Sequence, residues 1–271
     1  MSDARAPLPG SAGTPSVNGG RGVVVSGAPQ GMPVQDPEDR VAGLLAHADD
    51  NMVLAQRLGE WISKAPDLEI DIALGNIALD HLGVARALYS HVGELEGKGR
   101  DEDDLAMGRD EREYMNLLLV EQPNGDFAHT VVRQLFFDAY QVPLWEDLSA
   151  GEDTVVAGIA AKAAKETAYH FQWSSSWVIR LGDGTEESHR RAQAAVDALW
   201  RFTEELTGED QAGYRPLWER LVGSVLADAT LEMPDDPYQR TGGRHGYHSE
   251  HLGHLLAEMQ WMQRSHPGLE W

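Results

Sequence analysis

The sequence has no cysteine, few aromatic residues and half as many basic as acidic residues. The absence of cysteine excludes disulfides, thiolate metal sites and cysteine nucleophiles. The longest apolar runs, such as Leu117–Val120, are far too short to span a bilayer. The N-terminus also lacks the sustained apolar segment of a signal peptide. We therefore expect a cytoplasmic protein with no membrane partner.

The chain is strongly acidic. Its 44 acidic and 22 basic residues give a formal net charge of −22. A field of this sign repels phosphate backbones, so nucleic acid is not an expected partner. Solubility is the simplest explanation of the acidic excess, although a local basic patch could still bind an anionic ligand.

The first 36 residues differ in composition from the rest of the chain. They are rich in glycine, proline, serine and alanine, and the first aromatic residue is Trp61. Such a segment buries too little apolar surface to offset the entropy lost on ordering, so residues 1–36 are predicted to be a disordered tail.

Residues 37–271 show helical periodicity nearly throughout and no β-type alternation, which predicts one all-α domain. Asp67 is the expected N-cap of the second helix. The predicted helices cover about 37–61, 68–95, 110–119, 127–148, 153–181, 186–206, 214–231 and 248–264.

Four acidic residues fall into two pairs with the spacing of helical hairpins. Asp50 and Asp80 are 30 positions apart, and Asp138 and Glu166 are 28 apart. Four-helix bundles with a di-iron centre use a Glu from each of two helices and a Glu-x-x-His from each of the other two. Here the two histidine positions hold Gly83 and Tyr169. The pattern therefore indicates a di-iron site that has lost part of its ligand set.

The helical periodicity predicts that these acids face the bundle interior. In the first helix either Asp50 or Asn51 could face inward, beside Leu54 and Leu58. The predicted inward rows of the other three helices are Ala73, Ile77, Asp80 and Val84; Val131, Leu135, Asp138, Val142 and Trp145; and Ile159, Ala163, Glu166, His170, Trp173 and Trp177.

A buried carboxylate must pair, take up a proton or bind a metal. A self-sufficient metal-binding oxidase or oxygenase would use Asp50, Asp80, Asp138, Glu166 and His170. The alternative, which we favour, is a metal-free network of ion pairs and hydrogen bonds. His170 is the one imidazole on the predicted rows, and it follows Glu166 by four positions instead of three. The candidate partners of the carboxylates are Lys162, Lys165, Arg86, Arg57 and Tyr169.

Two further groups of residues are candidate sites. Histidine recurs every third position at His245, His248, His251 and His254, but one helix seldom closes a zinc site, so a solvated or interface face is preferred. Four tryptophans are interpreted as core or interface anchors instead of a cofactor site: Trp173, Trp177, Trp200 and Trp218.

Long stretches of the chain closely resemble the C subunits of bacterial 1,2-phenylacetyl-CoA epoxidases, from about residue 40 to the C-terminus. The stretches that carry the resemblance are Gln56–Trp61, Asn116–Gly125 (NLLLVEQPNG), Lys165–Glu166, Tyr169–His170, Leu199–Thr203, Arg240–Gly243, His251–Gly253 and Leu256–Gln260. The resemblance implies a ferritin-like four-helix bundle with additional C-terminal helices.

The resemblance also implies a division of labour within a larger assembly. In these multicomponent monooxygenases a homologous catalytic subunit holds the di-iron centre and epoxidises the aromatic ring of phenylacetyl-CoA. A small B subunit and a flavin/iron–sulfur reductase complete the system. The chain is then expected to be a structural subunit of phenylacetate catabolism without a cofactor of its own, and it could form a homodimer when alone.

A contact with the CoA part of the partner's substrate is a further implication of the resemblance. The matching segment is Glu113–Asn116, which contains Tyr114 and Met115 and is preceded by Arg109 and Arg112. The two arginines could bind phosphates. A surface helix with alternating charge is the competing interpretation of this segment.

Overall fold

The computed structural model describes residues 37–208 and 213–268. Within those residues the chain is α-helical with short 3₁₀ turns and no strand, as predicted. The helices are α1 Pro37–Gly59, α2 Leu68–Glu96, α3 Glu102–Met107, α4 Leu118–Glu121, α5 Phe127–Ser149, α6 Thr154–Gly182, α7 Glu186–Trp200, α8 Arg215–Asp228, α9 Glu250–Met259 and α10 Trp261–Ser265. The predicted disordered tail, residues 1–36, lies outside the described residues.

The four long helices form the bundle core. α1 packs along α2 and α5 packs along α6, so the chain forms two helical hairpins, and α2 also contacts α6. The later helices α7 and α8 pack on α5 and α6. This is the predicted ferritin-like bundle with additional C-terminal helices. None of the helices in the described part of the chain has the length and apolarity that a membrane crossing needs.

Local sequence fixes where the long helices begin. The Asp67 side chain accepts a hydrogen bond from the backbone N–H of Ile70, which confirms the predicted N-cap of α2. Asp126 and Asp153 cap α5 and α6 in the same way. An N-cap acceptor satisfies a backbone donor that would otherwise lack a partner in the first helical turn.

α5 is the central helix and is buried on nearly every side. Arg133, Gln134, Phe136 and Phe137 are all fully buried together with Asp138. Leu135 is buried as well, and because consecutive helical residues point about 100° apart, residues 133–138 together cover the whole circumference. The sequence predicted that only one face of α5 is buried, and this was wrong because nearly all faces are. The predicted residues Val131, Leu135 and Asp138 do face the core.

Residues 110–119 do not form the predicted helix. A 3₁₀ turn at Glu111–Glu113 is followed by an extended segment that leads into α4. The backbone N–H groups of Met115 and Leu117 donate to the carboxylates of Asp49 and Asp50 on α1, both at 2.8 Å. Because α1 satisfies these donors, the segment does not need helical hydrogen bonds.

The C-terminal part differs from the predicted boundaries in two places. The helix expected over 186–206 ends at Trp200, and a separate 3₁₀ turn covers Glu204–Leu206. The single helix expected over 248–264 is interrupted at Gln260, which separates α9 from α10. The loop before α9 is held to the bundle by Glu205, which accepts hydrogen bonds from the N–H groups of Gly242 and Gly243. The four tryptophans pack against the core, and Trp218 Nε1 donates to the Phe136 carbonyl at 2.9 Å.

Candidate functional site

Three polar side chains meet at the centre of the bundle: His81 of α2, Asp138 of α5 and His170 of α6. Each is buried, and their possible ligand atoms lie within 4.8 Å of one another. In the part of the chain that the structure describes, no other group of three such residues could hold a metal ion. We call these residues the central cluster. The sequence pattern identified Asp138 and His170, but it missed His81.

His81 takes the inward position that was predicted for Asp80. Its Nδ1 lies 2.8 Å from Asn51 Oδ1, and the Asn51 amide donates to the His47 carbonyl at 2.8 Å. This second bond orients the Asn51 oxygen toward His81, so Nδ1 carries the proton and Nε2 is the acceptor. Burial lowers the pKa of His81 well below its usual value, with a smaller contribution from His170. The ring is therefore neutral at physiological pH.

Asp138 is bound by two neutral side chains. Its Oδ1 accepts from Gln134 Nε2 at 2.6 Å, and its Oδ2 lies 2.8 Å from Ser174 Oγ. Burial raises the pKa of Asp138 to about 8, against the opposing effect of these two hydrogen bonds. At neutral pH the carboxyl group is therefore mostly protonated. The prediction of cationic partners is wrong for this residue, since Gln134 and Ser174 take their place.

His170 connects the cluster to the edge of the bundle. Its Nε2 lies 3.0 Å from Asp80 Oδ2, and the Asp80 side chain is 38% exposed. Its Nδ1 is buried and has no hydrogen-bond partner. Burial lowers the pKa of His170 more than the nearby Asp80 carboxylate raises it. The imidazole is neutral, with an available electron pair on Nδ1.

Glu166 lies at the border of the buried face of α6. Its Oε1 lies 3.1 Å from Lys162 Nζ, and the Lys162 side chain is 68% exposed. Lys165 and Tyr169 point to solvent. The row of buried residues on α6 is therefore shifted around the helix from the predicted row. The buried positions are Val156, Ala160, Ala163, Thr167, His170, Ser174 and Val178, whereas Ile159, Glu166, Trp173 and Trp177 are half-buried.

Asp50 faces away from the central cluster. It is buried, its carboxylate pairs with Arg244 at 2.7 Å, and it accepts the Leu117 N–H. Asn51 is thus the residue of α1 that faces the cluster. Two predicted cationic partners were also wrong. Arg57 donates to the Glu121 and His251 carbonyls and to Glu60, and Arg86 pairs with Glu102.

These residues do not fit the di-iron centre that the bundle fold suggests. Asp50 is buried but faces away from the central cluster, and Asp80 and Glu166 are only half-buried. The positions that would supply histidines hold the exposed residues Gly83 and Tyr169. A dinuclear site needs a carboxylate from each of four helices around two ions. Among the described residues at the centre of the bundle, only Asp138 is a buried carboxyl group.

The other sequence-predicted groups have different environments. His248 forms a fully buried pair with Glu121 at 2.9 Å and does not converge with the neighbouring histidines. Arg109 is buried against Asp49, with Nη1 3.0 Å from Oδ2, so its guanidinium is already bound within the protein. Of the predicted CoA-contact segment, Tyr114 and Asn116 are also buried. Arg112 and Glu113 are exposed and Met115 is half-buried.

Comparisons with known proteins agree with the resemblance found in the sequence. Residues 25–271 match the model of the family described as phenylacetic acid catabolic protein. The C subunit of the 1,2-phenylacetyl-CoA epoxidase of Escherichia coli (strain K12) is 49% identical, in an alignment that covers 82% of this chain and 95% of that relative.

Proposed function

The chain belongs to the phenylacetic acid catabolic protein family, and on this basis we propose that it is the non-catalytic C-type subunit of a phenylacetyl-CoA epoxidase. In this role it packs against a homologous catalytic subunit that holds the di-iron centre. A small B subunit and a flavin/iron–sulfur reductase complete the assembly. The substrate is the aromatic ring of phenylacetyl-CoA, which this chain does not itself oxidise.

The observation that carries the proposal is the replacement of the metal ligands in a chain so similar to an epoxidase C subunit. Oxygen activation at a metal centre requires a redox-active ion with an open coordination position. The acids predicted from the hairpin spacing are instead engaged by the protein itself: Asp50 by Arg244, Glu166 by Lys162 and Asp80 by His170. A self-sufficient oxidase based on these residues has no structural support.

An exposed apolar row on α2 supports the packing role. Leu68, Ile72 and Leu79 are 68%, 54% and 65% exposed. At 100° per residue these positions lie on one face of the helix. A row of large apolar side chains at the surface is typical of a protein interface. The proposed occupant is the homologous catalytic subunit, and a homodimer is the expected arrangement when that subunit is absent.

Fewer residues of the segment proposed to approach the CoA moiety are accessible than the sequence suggested. Arg112, Glu113 and Met115 are accessible to solvent. The other three residues are buried and form hydrogen bonds inside the protein: Arg109, Tyr114 and Asn116. Arg112 is the residue in this group that can offer a free guanidinium to a phosphate. The proposed contribution to substrate binding therefore depends on Arg112.

Reconstitution tests the proposed role. The purified chain with a reductase is expected to leave phenylacetyl-CoA unchanged, and the catalytic subunit is expected to require the chain for full turnover, measured by chromatography of the CoA products. Metal analysis after expression with added iron is expected to find no stoichiometric iron in this chain. Turnover by the chain alone, or full activity of the catalytic subunit without it, contradicts the proposal.

A surface variant tests the exposed apolar row on α2 separately. Leu79→Glu places a charge within the apolar row and should weaken association with the catalytic subunit in analytical ultracentrifugation. Tyr238→Glu changes a side chain that is 81% exposed elsewhere and serves as the control. Equal association of both variants contradicts the assignment of the α2 face.

A further inference from the structure

The side-chain amide of Gln134 lies between two members of the central cluster. Its Nε2 is 2.6 Å from Asp138 Oδ1 and 3.3 Å from His81 Nε2. Gln134 is fully buried, and its Oε1 has no hydrogen-bond partner. One N–H₂ group therefore donates to two atoms that are both potential metal ligands.

The central cluster offers a suitable donor set for one transition-metal ion. Two imidazole nitrogens and one carboxylate oxygen are the ligands of many zinc and non-haem iron sites. His170 Nδ1 is buried without a hydrogen-bond partner, so its electron pair is unused. This set involves His81, which has no place in the Glu-x-x-His pattern of a di-iron bundle.

The surroundings of the cluster resemble the outer shell of a metal site. Each prospective ligand is oriented by a hydrogen bond on its far side: His81 by Asn51, His170 by Asp80, and Asp138 by Ser174. Such outer partners fix the tautomer and direction of metal ligands. The three side chains are therefore held by groups that an ion would not displace.

The space between the ligand atoms of the cluster is shared with the amide of Gln134. These ligand atoms all lie within 4.8 Å of one another. A tetrahedral ion with bonds of about 2.1 Å would hold neighbouring ligands about 3.4 Å from each other. The amide of Gln134 occupies part of the space that an ion would take. Its N–H groups donate to Asp138 Oδ1 and His81 Nε2, whose electron pairs would otherwise bind the ion.

We infer that Gln134 keeps the central cluster free of metal, and that His81, Asp138 and His170 form a latent site for a single divalent transition-metal ion once this amide is removed. The parent protein is expected to bind no ion at the cluster. This inference concerns one mononuclear site in the isolated chain and does not depend on the proposed subunit role.

Titration of the full chain with Co²⁺ tests the inference, since a four-coordinate Co²⁺ site gives far more intense visible absorption bands than surface-bound hexahydrated ions. Gln134→Ala is expected to bind about one Co²⁺ per chain, at least about tenfold more tightly than the parent protein. Adding Asp138→Asn to this variant should abolish the bands. Gln141→Ala is the matched control, because this buried amide bonds to Asn51 and not to a cluster member.

Thermal melts followed by circular dichroism will establish that each variant is folded. Gln134→Ser is a second small replacement that keeps a polar group at the position if the alanine variant is unstable. The inference is overturned if a folded Gln134 variant binds Co²⁺ no better than the parent, or if the parent itself gives the same Asp138-dependent bands.

Discussion

His81 Nδ1 lies 2.8 Å from Asn51 Oδ1, and this pair joins the two helices of the first hairpin inside the bundle. The two residues are 30 positions apart, the same separation as Asp50 and Asp80, which precede them by one position each. A shift of one residue rotates the inward direction by about 100°. The bundle therefore places a neutral amide and a neutral imidazole where the acidic pair was expected.

Asp138→Asn should remove a pH-dependent cost of folding. In the folded protein the Asp138 carboxyl has a pKa of about 8, whereas an unfolded aspartate ionises near 3.9. Because the folded state keeps the proton longer, this residue lowers stability as the pH rises from about 4 to 8. The variant should match the parent near pH 4 and be more stable by about 1–4 kcal/mol near pH 7.5.

Urea denaturation of the parent and of Asp138→Asn across this pH range measures the difference. Asp138→Ala is the control for packing, since it also deletes the hydrogen bonds to Gln134 and Ser174. A constant offset between the asparagine variant and the parent at all pH values would show that Asp138 does not titrate in this way.

Arg244→Ala should destabilise the protein strongly. The change leaves the Asp50 carboxylate, which is 1% exposed, without its cationic partner. Removing one member of a buried ion pair typically costs about 3–5 kcal/mol. Arg240→Ala, at an exposed position of the same loop, should change the free energy of unfolding by no more than about 0.5 kcal/mol.

The double variant Arg244→Ala with Asp50→Asn separates charge from packing. Neutralising Asp50 should recover part of the loss, because the stranded charge is then absent. Equal stability of Arg244→Ala and Arg240→Ala in denaturant melts would refute this role of the Asp50 pair.

The His248–Glu121 pair should stabilise the protein most at mildly acidic pH. Both side chains are fully buried. Burial by itself lowers the pKa of His248, but hydrogen bonds and charge from Glu121, the Tyr114 carbonyl and Glu111 together raise this pKa above 6.5. A raised pKa means that the charged imidazole stabilises the fold fully below about pH 6.5, and that this contribution is lost as the pH rises through the folded value.

His248→Gln keeps a hydrogen-bond donor and loses the charge, so its destabilisation should be greatest near pH 5.5 and decrease toward pH 9. His254→Gln, at an exposed position of α9, is the control. Calorimetric melts at four pH values across this interval are sufficient. A destabilisation that grows with pH would mean that the imidazole is neutral in the folded protein.

Glu166→Ala should have little effect on stability. Its ion pair is with Lys162, four residues away on the same helix and 68% exposed, and such pairs contribute about 0.3–0.5 kcal/mol. Lys162→Ala should have an equally small effect. The measurement is a urea titration of both variants. A decrease of more than about 3 kcal/mol in the free energy of unfolding would show that Glu166 belongs to a buried charged network.

The sequence alone determined the four long helices and their pairing into two hairpins. Apolar periodicity and capping aspartates act within a few residues, so the extents of α1, α2, α5 and α6 followed from local patterns. The absence of the Glu-x-x-His motif at Gly83 and Tyr169 also follows directly from the sequence, and the resemblance to the epoxidase C subunits indicates the family.

Tertiary structure decided which side chains of those helices meet. Neighbouring residues differ by about 100° around a helix, so periodicity could not choose between Asp50 and Asn51 or between Asp80 and His81. The choice depends on partners far along the chain. Arg244 is 194 positions from Asp50, and it neutralises that carboxylate outside the bundle centre. A buried charge is placed where a partner can reach it, and no local pattern contains that information.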